Sequence, residues 1–476
     1  MKKIIYIFIG CLLLTSCSGM LDIESHSAVS PGSVTPQDLS ALRMGMYNKV
    51  QNSPTRESYI TFDILGGDLT QSTGNAKDLI NSVLSSLNSI VSNSWNGYYN
   101  ALYQVNNVLS IVESLPESEL RNLIIGEAHY FRAYIYHALV TRWGGVPIQK
   151  VNTMEKPFRD SEEAVWSFIE EELQTALAFL GTSSSYYYVS RDAALALKAR
   201  FALYMGDWQV AAEASKACME LGQYKLHSKF SDLFLTTTRN AEESIFVLPR
   251  SISDKVTLGS GEVLNAITRN PGGWAAKDPS WDLLAAFTCT DGLPIDESPL
   301  FDSHDPFKNR DPRCCETIVP FGSKFLGFDY NPHPEALEVM NYNTGKMQKN
   351  NDTRANAQYA SFNGLVWKKG IDETWLDNGK DVDPDKIIIR YADILLIYAE
   401  AKIELNQIDQ SVLDAINMVR ARAYGVDKVA TDQYPAVKET EQSKLRKIVR
   451  LERRMEFAYE GLRYMDLVRW KLASKA

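Results

Sequence analysis

Two alanine-dense segments separated by a single turn set the strongest limit on how this chain can fold. Residues 192–204 and 208–221 carry alanines at 193, 194, 196, 199, 202, 211, 212, 214 and 217. Side chains that small let two helices approach closely, so the segments predict a helix pair hinged at Met205-Gly206-Asp207. A similar unit recurs at 391–405 and 412–423, through Ala399, Ala401, Asn406 and Ala415. Helical periodicity also predicts helices over 36–52, from Trp95 to Pro116, and from Glu127 to Trp143, where Gly144-Gly145-Val146-Pro147 stops the chain. A further helix runs from an N-cap at Ser161 to about Leu180, with Glu162 and Glu163 in its first turn complementing the dipole.

The motif Leu203-Tyr204, Gly206-Asp207-Trp208 and Ala211 resembles a tetratricopeptide hairpin, and its loose recurrence predicts several degenerate helical pairs rather than a regular array. The expected fold class is mostly α: a tetratricopeptide-like scaffold over 36–225 and 386–476, interrupted by a loop-rich insert with short strands over 226–385. Gly, Pro and Asn punctuate the insert at Gly259-Ser260-Gly261, Asn270-Pro271-Gly272-Gly273 and Asn331-Pro332, and only 280–287 keeps a helical period. Trp274, Trp281, Tyr330, Tyr359, Phe362, Trp367 and Trp375 also lie there, a heavy aromatic load for irregular chain. Binding groups tend to sit on loops held by a rigid scaffold, so the insert reads as the recognition region.

The N-terminus reads as an address. Lys2 and Lys3 precede an apolar run of eleven residues, Ile4 to Leu14, too short to span a bilayer, and Leu14-Thr15-Ser16-Cys17 has the order of a bacterial lipobox. The expectation is a signal peptide over 1–16, lipidation of Cys17 and a tether over 17–35, with acyl chains alone holding the protein at a membrane. The alternative is an ordinary secreted chain cleaved near Cys17. Cys218, Cys289, Cys314 and Cys315 lack metal-ligand spacing, leaving buried thiols or one bridge as the readings. With 50 basic and 59 acidic residues the chain is acidic, which gives nucleic acid no electrostatic basis for binding.

No catalytic motif stands out. There is no G-x-S-x-G, H-E-x-x-H or phosphate loop. His129 and His137 read as satisfied, half-buried groups on one helix. Asp381, Asp383 and Asp385 alternate as in a calcium loop, but Lys386 and Ala392 stand where its Gly and Glu belong. No metal or cofactor is expected. The charged run 446–469 reads as a structural helix with acid–base pairs three and four residues apart.

That run, with Arg446, Arg450, Glu452-Arg453-Arg454, Glu456-Phe457-Ala458-Tyr459-Glu460-Gly461, Asp466-Leu467 and Arg469-Trp470, resembles the C-terminal signature of the SusD/RagB family of Bacteroidetes outer-membrane lipoproteins. Glu127-Ala128 through Pro147, Asn309-Arg310-Asp311-Pro312-Arg313, and Arg390 through Ala401 agree in order, so the resemblance spans almost the whole mature chain. It implies a non-catalytic lid on a SusC-like TonB-dependent transporter, which captures oligosaccharides, or peptides in the RagB branch. Family members usually continue past the Arg-Trp motif, so the end at Ala476 raises the expectation of a missing tail and uncovered C-terminal packing.

In such proteins the site is assembled from an N-terminal loop and helix together with the insert. By that resemblance the glycan-binding candidates are Asp68, Trp95, Asn96 and Tyr98, then Trp274, Tyr330, Trp367 and Trp375. Trp95 reads equally as core, Trp274 favours ligand contact because it follows a Pro-Gly-Gly turn, and Trp367 and Trp375 could meet ligand or partner. Trp281 groups with Leu283, Leu284 and Phe287 and is expected in the core. A helical adaptor for protein partners and a surface glycoside hydrolase with unrecognised carboxylates remain the competing readings.

Overall fold

The computed structural model describes residues 34–52, 64–71, 85–182 and 187–472. Cys17, the signal segment and most of the tether lie outside them. The described helices are α1 (Leu39–Asn52), α2 (Ser89–Glu113), α3 (Glu119–Trp143), α4 (Glu162–Phe179), α5 (Arg191–Met205) and α6 (Trp208–Glu220) before the insert. The insert holds α7 (Ser260–Ala266), α8 (Trp281–Ala286) and α9 (Pro312–Thr317); α10 (Tyr391–Glu404), α11 (Gln410–Ala423), α12 (Gln442–Glu456) and α13 (Arg463–Arg469) follow it. The described residues also form eight short strands: β1 (Leu69–Gln71), β2 (Ser244–Leu248), β3 (Lys277–Pro279), β4 (Lys324–Phe325), β5 (Phe328–Asp329), β6 (Glu338–Asn341), β7 (Lys346–Lys349) and β8 (Lys386–Arg390).

The mostly helical class stands. Consecutive helices pack in pairs, α2 on α3, α3 on α4 and α5 on α6, and α10 then packs against α6 and α11. The alanines act as expected: Ala194, Ala196, Ala199, Ala202, Ala211 and Ala399 are wholly buried. Gly206 closes α5 at φ 86°, its N–H donating to the Ala202 carbonyl, and Asp207 then caps α6 by accepting from Val210 N at 3.1 Å. Ser161 caps α4 at Ala164 N, 3.2 Å, as its position predicted.

An antiparallel ribbon of β2 and β8 joins the two flanks of the loop-rich segment, pairing Leu248 with Lys386. Between those strands the chain builds a second hydrophobic core from Leu258, Ile267, Phe287, Ile318, Trp367 and Trp375. Met455, Ala458 and Tyr459 at the end of α12 belong to this second core, whereas Leu445 and Val449 at its start belong to the helical one. One helix therefore bridges both.

Most charges of 446–469 pair with other elements rather than along their own helix. Leu445, Val449, Glu452, Arg453, Met455 and Glu456 form one buried face of α12, so its inward charges must be neutralised by other elements. Glu456 accepts from Arg390 at 2.6 Å and Arg313 at 2.9 Å, and also pairs with Arg422. Glu452 meets Arg313 and Arg420, both at 2.8 Å, and Arg453 meets Asp393 at 2.9 Å and Asp466 at 3.0 Å. Within the run, Arg469 with Asp466, 2.7 Å, follows the expected spacing.

Removing one partner of a buried pair strands the other charge. Arg390→Ala should therefore cost about 3–5 kcal/mol, and Lys216→Ala, which breaks an exposed pair with Glu220, less than about 1 kcal/mol. Thermal melts followed by circular dichroism would show the contrast. Burial alone would raise the Asp393 carboxyl, but Arg200 and Arg453 outweigh it and hold it at about 2, and Glu456, Glu460 and Asp466 are lowered in the same way. Depressed carboxyls contribute stability that is complete above their unfolded values near 4 and lost as pH falls through the folded ones. The melting temperature should thus drop steeply from about pH 4 to pH 2, and acid melts without such a drop would contradict the network.

Candidate functional site

The structure divides the sequence-predicted residues. Asp68 is buried and accepts from Arg454 Nε at 2.9 Å and Nη2 at 2.6 Å, tying the 64–71 segment to α12. Tyr98 is buried in the helical core, and Tyr330 is buried in the second core, donating its hydroxyl to the Gly364 carbonyl at 2.7 Å. Trp367 and Trp375 are 5% and 3% exposed and meet edge to face, ring centroids 6.2 Å apart. Asp68, Tyr98 and Tyr330 present no open face to a ligand, and Trp367 and Trp375 only line a small cavity of about 70 Å³ beside Lys369 and Tyr459. The polar neighbourhood of Trp367 misled the reading because Lys369 is itself buried, donating to the Glu456 and Ala458 carbonyls and to Glu460.

Trp95 is half-buried on α2 beside Tyr99 and Trp143, with Arg159 5.4 Å from its ring centroid, and Asn96 is exposed. Trp274 is exposed in its loop. Trp281, expected in the core, is 46% exposed: α8 is one and a half turns long, Leu283 and Leu284 take its inner face, and the first-turn indole is left outside. Asp381, Asp383 and Asp385 accept from the backbone of Gly259, Ile252 and Arg250, which fastens the 250–259 loop. Cys218, Cys289, Cys314 and Cys315 are free thiols, the last partly exposed. His129 bonds Glu172 at 2.7 Å, whereas His137 is buried rather than half-buried, and burial lowers it to about 3, keeping it neutral.

Trp274 and Trp281 bracket β3, which pairs antiparallel with β1 through Leu69–Pro279, Thr70–Asp278 and Gln71–Lys277. The 350–363 loop is laced along this segment by side-chain amides and a carboxylate. Arg269 N donates to Asp352 at 2.6 Å, Asn351 N to Asn270 at 2.7 Å, Asn363 Nδ2 to the Pro279 carbonyl at 2.7 Å, and Trp281 Nε1 to the Asn363 carbonyl at 3.1 Å. Gly273 is required at the turn, since a Cβ there would lie 2.2 Å from the Ile267 carbonyl oxygen.

On this lattice Trp274, Trp281, Tyr359 and Phe362 stand about half exposed, and Phe321 meets Trp281 edge-on at 6.4 Å. Apolar rings left in water on hydrogen-bonded loops form a ready-made surface for flat apolar faces. Tyr359, Phe362 and Phe321 were not among the site candidates. The run Tyr359-Ala360-Ser361-Phe362-Asn363-Gly364, aromatic rings among amide and small residues, was the available signal.

Comparison with known proteins agrees with this architecture. The SusD family model matches residues 242–476, and a model described as starch-binding associating with outer membrane matches residues 20–203. A SusD-like protein of Formosa agariphila is 24% identical over 97% of this chain and 90% of its own length; one of Bacteroides ovatus is 22% identical over 98% and 82%. A solved SusD-like carbohydrate binding protein from Bacteroides fragilis covers 93% of this chain and 87% of its own at 26% identity and TM-score 0.81. A SusD homolog from Bacteroides thetaiotaomicron, 20% identical, shares the fold at TM-score 0.71 over 92% and 87% of the two chains. With its tetratricopeptide-like pairs, its loop-rich insert and the buried arginine–carboxylate signature at its C-terminal end, the chain belongs to the SusD/RagB family.

Proposed function

We propose that this protein is a glycan-binding lipoprotein of the outer membrane, anchored through Cys17, that captures oligosaccharide at the cell surface and delivers it to a SusC-like TonB-dependent transporter without chemical turnover. The observation that carries the reading is the set of half-exposed rings at Trp274, Trp281, Tyr359 and Phe362, carried by loops that hydrogen bonds fasten to one another. Pyranose rings present apolar C–H faces that stack on such side chains, while hydroxyls bond neighbouring polar groups. Relatives named for carbohydrate or starch binding support the ligand class, and the family description supports the outer membrane. No helix among the described residues is long and apolar enough to cross a membrane, consistent with attachment by a lipid.

Calorimetric titration against a panel of plant, host and microbial polysaccharides, with peptides as a second panel, tests the reading. One glycan class should bind, and Trp281→Ala or Trp274→Ala should weaken it about tenfold while leaving the melting temperature nearly unchanged. Trp375→Ala, by contrast, should cost about 3–5 kcal/mol of stability because it empties the second core. Binding of peptides alone, or of glycans with no response to either exposed tryptophan, would overturn the assignment.

A further inference from the structure

The cations bordering the exposed rings form no contact ion pair among the described residues, although the chain as a whole is acidic. The Arg354 guanidinium lies 4.1 Å from the centroid of Phe362, and among the described residues it has no hydrogen-bond or ion-pair partner. Arg269 spends one N–H on the Tyr359 carbonyl at 3.3 Å and meets no carboxylate within ion-pair distance among the described residues. Lys380 lies beside Gly272, two residues before Trp274, its ammonium 3.4 Å from where a Cβ on that glycine would stand. The local acids sit differently. Asp278 and Asp352 are buried beneath the loops, Asp352 accepting from the Arg269 backbone N–H and lying within electrostatic reach of its guanidinium without contact, and Asp282 is an exposed acid next to Trp281.

The buried arginines Arg313, Arg390, Arg420, Arg422 and Arg453 are matched to carboxylates, whereas Arg354, like Arg159 over Trp95 and Arg310 over Phe301, lies on a ring without an ion pair among the described residues. Arg354 is exposed, and a guanidinium over a ring does not spend its N–H groups on that contact. Those groups fit a carboxylate or a sulfate in a fork, and stacking has already restricted the side chain before ligand arrives. We infer that this surface recognises a negatively charged glycan, bearing uronic carboxylates or sulfate esters, with Arg354 and Arg269 contacting the anion while the neighbouring rings stack on the sugar. The inference rests on the glycan-binding reading and names its ligand class. The net negative charge of the protein is no obstacle at physiological salt, where charges beyond about 8 Å are screened and the local cations dominate.

Calorimetry with polygalacturonate and alginate for the carboxylate arm, kappa-carrageenan for the sulfate arm, and galactomannan, laminarin and amylose as neutral glycans tests it. The expected result is binding in one acidic arm, weakened by added salt and roughly tenfold weaker in Arg354→Gln and in Arg269→Gln, with Lys216→Gln on the remote α6 unchanged. A neutral glycan bound through Trp281 with no response to Arg354→Gln would overturn the charge inference and leave glycan capture standing. Acidic binding weakened equally by Lys216→Gln would mark diffuse attraction and overturn it too. Failure of every glycan to bind protein that melts normally would remove both the inference and the function beneath it.

Discussion

Glu456 is the point on which the structure turns. Its carboxylate receives Arg313 from the insert, Arg390 from the strand that closes the insert and Arg422 from α11. Three separate regions of chain meet at one buried charge. Glu243 extends the cluster to β2 through Arg390 and Arg422, and Glu460 extends it to Lys369 in the insert. Such a network is not an efficient source of stability, because each ion must be desolvated before it is paired. Its effect is to specify position: a displaced insert would leave several buried charges unmatched at once, a far larger penalty than a displaced apolar contact.

Position matters because the exposed rings stand on the insert and not on the helices. The second core, filled by Trp367, Trp375 and Phe287, holds the insert together, and the end of α12 joins it to the helical scaffold. Above that core, amides of Asn270, Asn350 and Asn363 satisfy backbone groups that no regular sheet reaches. Loops fastened in this way can keep aromatic rings in water without collapse. Rigidity of that kind lowers the ordering cost of binding, which favours recognition of a weakly interacting polymer.

The helical half was largely legible in the sequence. The Gly206-Asp207 turn, the Ser161 cap and the stop at Gly144 each act over a few residues, so spacing alone identified them. Trp281 and Trp367 were harder, and for opposite reasons. Trp281 sits on an apolar face too short to bury all its members, and Trp367 has charged neighbours that are themselves drawn into the core. Asp68 was a candidate by resemblance of position, yet its partner Arg454 lies far away in sequence.

What the sequence determined by itself was local or compositional: the helical pairs with their alanine interfaces, the loop-rich insert, the lipobox order at Cys17 and the family signature around Glu456. Those features depend on residues a few positions apart, or on side-chain size and charge that read directly from the chain. Tertiary structure alone decided which aromatic rings face water, which arginines are ion-paired and which, like Arg354, are not among the described residues. Exposure and pairing depend on what other segments bring to the same place, and in an irregular insert no period carries that information along the chain.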